Sequence, residues 1–589
     1  MKIFNTLNKY TICHPPFTLQ ALRVFAYLLL SAGVQAEQTV QTVQAEQKLW
    51  SQKPPIQLDY ASQTPPKDSH VLEANQSINT PNKMRNGLIR INRIRLQGDA
   101  LYPEYGITNA FLHTRINQVY SHMNEQLSIS DINKIADALT LAYREKGLTF
   151  NQAYVIPQEI VDSTLIIHVL KGTLTDIDIY SNEIYSTEQL TLPFAELMGK
   201  VIHEPDIKKV VESINEKPGL KIFSFFSVGS NQGEARLNVR VMDETRHESK
   251  LVIDNKGVSQ TGINRLMYSH TLNNPLNLSG QLSATVMTTN KPENFFGNLG
   301  YSYSVDPTNE IGLSILKSDF AITGQFEDLG LEGYLQSATV SWSNTPEQEQ
   351  NSTLLHHRHL TLSTKQSTVT SEAFPEFLNE EVDYTMISGT YQLHFLQPWQ
   401  SNSQHILTIQ PSVSKITNTD NADLPSHFWL VSTAYDFMAP QWIESASFQH
   451  PFSVSAKGQY SAKKLPSAEQ FTTTGATTNR GFEPGIFSGD SAYSISLEQA
   501  VGHPVDVISQ RNAISVQPFL FFDYSYGKQN LDEDLSAKFQ SAGFGLKVGY
   551  KKIAKATVSI GKPLDHRISG QLNIGQNQAV VYAHLSLSF

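Results

Sequence analysis

From about residue 247 to the end of the chain, apolar and polar positions alternate in short segments and helical periodicity is absent. Sixteen such segments follow one another, from ESKLVIDN and GINRLMYSHTL through SAYSISLEQAV and AISVQPFLFFDYSYG to AVVYAHLSLSF. Sharing about 340 residues among sixteen strands leaves about 21 per strand and connection, which suits membrane strands of about 9 to 11 residues. In the last segment Val581, Ala583, Leu585, Leu587 and Phe589 point one way, and Tyr582, His584, Ser586 and Ser588 the other. One face suits lipid and the other suits water. A soluble array of β-sandwiches would bury the second face with its many Ser, Thr and Gln side chains unpaired. The pattern therefore predicts a closed membrane β-barrel of 16 antiparallel strands over residues 247–589. Tyr301, Tyr303, Phe428, Trp429, Phe522 and Tyr524 are expected in its interfacial girdles.

Upstream the period changes. Residues 87–172 read as strand, helices, strand, strand, and residues 173–246 repeat that order, so two small β-α-α-β-β units stand in tandem. The clearest helix is SDINKIADALTLAYREKG, with Ser130 as N-cap, Gly147 as C′ residue, and Ile132, Ile135, Leu139 and Tyr143 on one face. In the second unit STEQLTLPFAELMGK and EPDIKKVVESINEK read as helices, Pro205 standing in a first turn.

The N-terminus adds an export address. Lys2, Lys9 and Arg23 precede the apolar run VFAYLLLSAG and the small-residue ending Val34-Gln35-Ala36, so residues 1–36 read as a signal peptide. Residues 37–86 are rich in Gln, Ser, Thr and Pro and read as a linker, with a short helix expected at 37–50. The sole cysteine, Cys13, lies in the leader, which removes disulfides, Cys-bound zinc and thiol catalysis from the mature chain. With 45 basic against 55 acidic side chains and no basic cluster, nucleic acid is not the expected partner.

Chemistry is sparse. The segment before strand twelve, about 462–491, is far longer than a hairpin turn and carries Arg480 in TNRGFEPG. Alternation in AISVQPFLFFDYSYG puts Phe519, Phe521, Asp523 and Ser525 on one face, so Asp523 is a candidate lumen partner for Arg480, set against a solvated loop arginine and an unrelated aspartate. His357 and His359 share a face of strand seven, and a polar lumen strand accounts for them better than a metal site. Gly489-Asp490-Ser491 lacks the context of a serine nucleophile, and EAFPEFLNEEVD, with Glu376, Glu380, Glu381 and Asp383, reads as an exposed loop. No phosphate-binding loop and no cofactor motif is visible.

Together these features resemble the outer-membrane transporters of two-partner secretion, the haemolysin secretion/activation family. That family belongs to the superfamily of POTRA-plus-barrel proteins that includes the barrel assembly machinery. LSISDINKIADALTLAYREKGLTFNQAYVIPQ is similar to a first POTRA module, and LVIDNKGVSQTGINR, with Asp254, Asn255, Gly257, Gly262 and Arg265, to the first barrel hairpin. NRGF matches the VRG[YF] loop motif at Arg480, Gly481 and Phe482, with Asn479 where Val is usual, and FFDYSYG matches the Phe-x-Asp strand motif at Phe521 and Asp523. The resemblance implies two periplasmic POTRA domains, 87–172 and 173–246, that capture an unfolded exoprotein, haemolysin- or adhesin-like. It also implies a gating loop at Arg480, a plug helix near 37–50, and Phe589 as barrel assembly signal. Implied partners are outer-membrane lipids, the barrel assembly machinery and periplasmic chaperones; no cofactor and no catalysis are implied. Alternatives are a barrel-insertion factor, usually with more modules, and a barrel hydrolase.

Overall fold

The computed structural model describes residues 88–124, 126–161, 163–306, 308–346, 353–396, 403–439, 451–501, 505–506, 514–530, 535–551, 553–569 and 577–589. The leader expected at 1–36, the linker at 37–86 and the helix at 37–50 lie outside them. The chain divides into two compact units that part at Arg246.

In the first unit, one module comprises β1 (Arg93–Gln97), α1 (Asn109–Tyr120), α2 (Ile129–Glu145), β2 (Gln152–Tyr154) and β3 (Thr164–Leu170). Its sheet order is β1-β3-β2, with β1 parallel to β3. The predicted stripe Ile132, Ile135, Leu139 and Tyr143 is buried against this sheet. The cap of α2, however, is Ser128 and not Ser130: the Ser128 hydroxyl accepts from Asp131 N, and the Asp131 carboxylate accepts from Ser128 N. Only Ser128 has an acidic residue three positions on, and that reciprocal bond decides between two nearby serines. The Ser128 hydroxyl, with Lys134, holds the Asp131 carboxyl down to about 2.

The second module comprises β4 (Thr173–Tyr180), α3 (Thr187–Thr191), α4 (Glu204–Asn215), β5 (Leu220–Val228) and β6 (Glu234–Glu244), in sheet order β4-β6-β5. The long helix expected from STEQLTLPFAELMGK is instead α3 followed by a 3-10 turn, Leu192–Leu197, because Pro193 has no N–H to continue the α-ladder. The two modules meet through loops and helix starts. Tyr105 stacks on His203 at 4.0 Å and donates to Asp206 at 3.2 Å, Phe150 packs on Phe226 at 4.6 Å, and Glu204 N donates to Gly147 O at 2.9 Å. Among the described residues β5 pairs only with β6, so this contact leaves the outer edge of β5 open.

The second unit is a closed antiparallel barrel. Its strands are β7 (His247–Asp254), β8 (Arg265–Asn273), β9 (Gly280–Thr289), β10 (Phe295–Ser304), β11 (Asn309–Ala321), β12 (Leu331–Asn344), β13 (Leu354–Ser371), β14 (Glu380–Leu396), β15 (Gln404–Thr419), β16 (His427–Ala439), β17 (Phe452–Tyr460), β20 (Ser491–Ala500) with its continuation β21 (Val505–Asp506), β22 (Ile514–Gln529), β23 (Leu535–Tyr550), β24 (Ala554–Ile568) and β25 (Val580–Ser588). Counting β20 and β21 as one strand gives the sixteen expected. A two-stranded hairpin, β18 (Phe471–Thr472) with β19 (Ser488–Gly489), belongs to the long segment before β20.

Leu313, Ile315, Leu360, Leu362, Leu520 and Phe522 stand exposed on one face of their strands. On the other face Ser363, Lys365, Ser388, Ser412, Asp523 and Ser525 are buried within the barrel. Some expectations need correction. The 18 residues of β13, at about 3.3 Å each, exceed a hydrocarbon core of about 30 Å even when tilted, so pairing continues beyond the lipid. Phe428 is not a girdle residue: it points inward against Tyr384 and Leu465, while its neighbour Trp429 faces out. Likewise EAFPEFLNEEVD is only partly a loop, since β14 begins at Glu380 and places Glu380 and Asp383 on opposite faces.

Ile315, 58% exposed near the middle of β11, tests the lipid face. Ile315→Arg is expected to lower the folding free energy in lipid vesicles by about 2–4 kcal/mol, read from urea titrations of insertion. An unchanged midpoint would remove that face from the membrane.

Candidate functional site

The chain between β17 and β20 enters the barrel instead of leaving it. Arg480, near its tip, meets β20 and β22. Its Nε and Nη2 donate to the two oxygens of Asp523 at 2.8 Å each, and its backbone N donates to Asp523 Oδ2 at 2.9 Å. Nη1 donates to Glu498 at 2.9 Å, and Nη2 also reaches Ser496 Oγ at 2.8 Å. The guanidinium carbon lies 3.6 Å from the centre of the Phe521 ring. This is a forked ion pair closed on one side by an aromatic face, which lysine could not reproduce. Glu498 is shared with Lys547, so two cations serve two carboxylates.

Asn479 is completely buried and finds a polar seat. Its Nδ2 donates to Ser525 Oγ at 3.2 Å and to Phe539 O at 3.1 Å, while Ser541 Oγ donates to its Oδ1 at 2.6 Å. Gly481 N donates to the same Ser541 hydroxyl at 3.1 Å. Phe482 is buried edge-on to Phe539, and Tyr582 donates to its carbonyl at 2.6 Å. The tip lies so close to the wall that a Cβ on Gly561 would come within 2.4 Å of Arg480 O.

The first hairpin is tied separately. Arg265 and Asp254, opposite one another on β8 and β7, form a buried two-point pair at 2.8 and 3.1 Å. Gly262 has φ +111°, and Gly257 passes so near its carbonyl that a side chain would collide. Asn255 acts at the barrel's seam. Its amide donates to Val581 O at 2.8 Å and accepts from Ala583 N at 2.7 Å, extending the β7–β25 pairing by one side chain. At the other end of that seam Phe589 and Ser249 exchange backbone hydrogen bonds of 2.9 and 2.8 Å, with the Phe589 ring exposed.

A second anchorage has no signal in the sequence. Glu469, in the turn Ser467–Glu469 at the start of the segment, accepts from Lys365 of β13 at 2.8 Å and from Tyr384 of β14 at 2.6 Å. Leu465 lies in an apolar cluster with Val382, Tyr384, Met386 and Phe428. The inward face of Lys365 follows from strand alternation, but nothing local links it to a residue a hundred positions later. Asp490 is a structural tie, accepting from Leu465 N, Gln470 and Asn530 N. His357 and His359 share the inward face of β13 and bond Thr345 and Ser343. Among the described residues no cluster of His, Cys, Asp or Glu could hold a metal ion.

The sequence model of the haemolysin secretion/activation protein family ShlB/FhaC/HecB matches residues 233–548, and that of the ShlB-type POTRA domain matches residues 89–172. The chain belongs to this family. Its relatives include the heme/hemopexin transporter protein HuxB of Haemophilus influenzae, 26% identical over 471 residues that cover 76% of this chain and 80% of HuxB. The outer membrane transporter CdiB of Escherichia coli O6:K15:H31 is 22% identical over 389 residues, 63% of each chain. Among solved structures, CdiB from Escherichia coli superposes with a TM-score of 0.63 at 17% identity, covering 95% of this chain and 98% of that one. BamA from Haemophilus ducreyi lacking POTRA domains 1–3 superposes at 0.53 and 13% identity, covering 85% and 100%. As a ShlB/FhaC/HecB transporter, this protein is an outer-membrane β-barrel with periplasmic POTRA modules, and it moves a secreted partner across that membrane.

Asp523→Asn removes the carboxylate that, among the described residues, alone meets the Arg480 guanidinium at two points. Disrupting a buried pair costs about 3–5 kcal/mol, so trypsin is expected to cut after Arg480 at least about tenfold faster in the inserted protein. Equal cutting rates, with heat-modifiable migration retained, would mean that the pair does not seat the tip.

Proposed function

We propose that the protein exports an unfolded, haemolysin- or adhesin-like partner, captured in the periplasm by the POTRA modules and passed through the barrel when the Arg480 segment yields. The seating of that segment inside the lumen, by an ion pair and not by a dry core alone, is the observation that carries this reading: polar bonds can be exchanged for water as a chain enters. Strand addition supplies the capture step. The outer edge of β5 is nine residues long and carries the exposed pair Phe223 and Phe225, stacked at 6.2 Å, so an extended segment could gain both backbone pairing and apolar contact. The passenger's class rests on the family alone. Partners on this reading are also outer-membrane lipids, and the barrel assembly machinery and periplasmic chaperones that would deliver the barrel itself. No catalytic step is invoked, and folding of the passenger outside the cell would supply the drive.

A barrel-insertion factor is the alternative that a shared fold leaves to be tested, the likeness to BamA being one of fold. Deleting the gene separates the two. Export predicts that one or a few large proteins vanish from the medium while outer-membrane protein content is unchanged; insertion predicts a general loss of barrels. Arg480→Ala is expected to reduce secretion while the barrel remains inserted.

Phe223→Asp with Phe225→Asp tests capture. Both rings are solvent-exposed, so module stability should change little, while secretion of the affected protein should fall about tenfold or more. Wild-type secretion by this variant would take β5 out of the pathway.

A further inference from the structure

We infer that Glu469, Lys365 and Tyr384 form a second latch on the lumen segment, and that releasing it opens the pore while the Arg480 tip stays seated. The inference deepens the export reading and rests on it. Two points of the segment are fixed to different walls. The tip is held on β20 and β22–β24, whereas Glu469 is held on β13 and β14. Asp523 lies on the thirteenth barrel strand and Lys365 on the seventh, six apart in a ring of sixteen, so the segment bridges nearly opposite sides of the lumen.

The two holds are unequal. At the tip, Arg480 alone makes bonds to Asp523, Glu498 and Ser496, Asn479 makes three more, and Gly481 and the Phe482 carbonyl each add one. Toward β12, β13 and β14, the Glu469 carboxylate has two partners, Lys365 and Tyr384, its carbonyl accepts from Gln459, Leu465 enters one apolar cluster, and Ala468 packs on Leu335. A bridge strained by an entering chain parts where fewer bonds act together. The weaker hold is also the one beside open volume: Lys365 borders a space of about 860 Å³ lined by residues of β9 to β15, including Thr285, Leu316 and Ser337. Freeing Glu469 lets the start of the segment withdraw from the side where that space lies, and the pore widens with no change at Arg480.

Glu469 is thus a positioning residue, and its effect is readable without knowing the passenger. The purified full chain, recorded in planar lipid bilayers with salt ions as the probe, should show Glu469→Gln raising open-state occupancy on the order of tenfold, the loss expected for one charge-assisted bond. Tyr384→Phe keeps the ring in its cluster and removes one donor, so it should raise occupancy by a smaller factor and serves if Glu469→Gln inserts poorly. Asn479→Cys with Ser541→Cys, whose side chains are already in contact, joined as a disulfide by an oxidant during folding, fixes the tip. Higher occupancy in Glu469→Gln that survives this cross-link supports the inference. Two results overturn it: wild-type occupancy in both latch variants, or suppression of the Glu469→Gln increase by the cross-link, which would make the tip the moving part. Each of these outcomes holds even where secretion assays fail, since no exported partner enters the measurement.

Discussion

A β-sheet crossing lipid has no water to satisfy an exposed edge, so its first strand must find its last. Here that requirement falls on β7 and β25, whose described register runs only from Lys250 with Ser588 to Asp254 with His584. Neighbouring pairs such as β13 with β14 run much longer. The short seam is extended at both ends, by the Phe589 main chain at one and by the Asn255 side chain at the other. Closure makes an inside, and the inside makes every later feature possible. Alternation turns serines, lysines and aspartates inward because only there is water or a partner to be found.

An arginine inside such a cylinder has to be reconciled with its desolvation. Burying an ion pair seldom adds much net stability, because the loss of hydration offsets the attraction; removing one member is costly all the same. What the arrangement at Arg480 provides is geometry. A planar fork meets a carboxylate at two points, a second carboxylate and a hydroxyl take the remaining donors, and the Phe521 ring covers the face. A long segment with little regular structure can be held at one place by such a cluster, since few other seats would satisfy all those donors at once.

Much of this was legible in the residue pattern, for a physical reason. Period-two alternation reports two different solvents, and along β22 and β25 it assigned Asp523 and Tyr582 to the inside, as found. The pairing of Arg480 with Asp523 was legible too, through the resemblance and through the need of an inward carboxylate for a cation. Phe428 was misread because residue type favoured a girdle; the inward cluster it forms with Tyr384, Leu430 and Leu465, drawn from distant parts of the chain, makes an apolar side chain acceptable inside. Ser128 was missed in favour of Ser130 because capping depends on a reciprocal bond rather than on residue type. The Glu469 hold was invisible, since the strands it touches lie about a hundred residues earlier and no periodicity connects them.

The composition of the inward face bears on transport as much as the segment that crosses it. Ser269, Ser363, Ser388, Ser412, Ser414 and Ser541 are all inward and small. A hydroxyl can donate or accept and can turn to suit its partner, so a polypeptide sliding past exchanges one weak bond for another of similar strength. Fixed charges would bind acidic or basic stretches unevenly and slow them. In this lumen the ions that seat the segment are instead paired, Arg480 and Lys547 with Asp523 and Glu498 and Lys365 with Glu469, and the first hairpin adds Arg265 with Asp254. Pairing thus does two things at once. It holds the segment in place, and breaking a pair leaves a charge without its partner, so the field presented to an unfolded chain then changes.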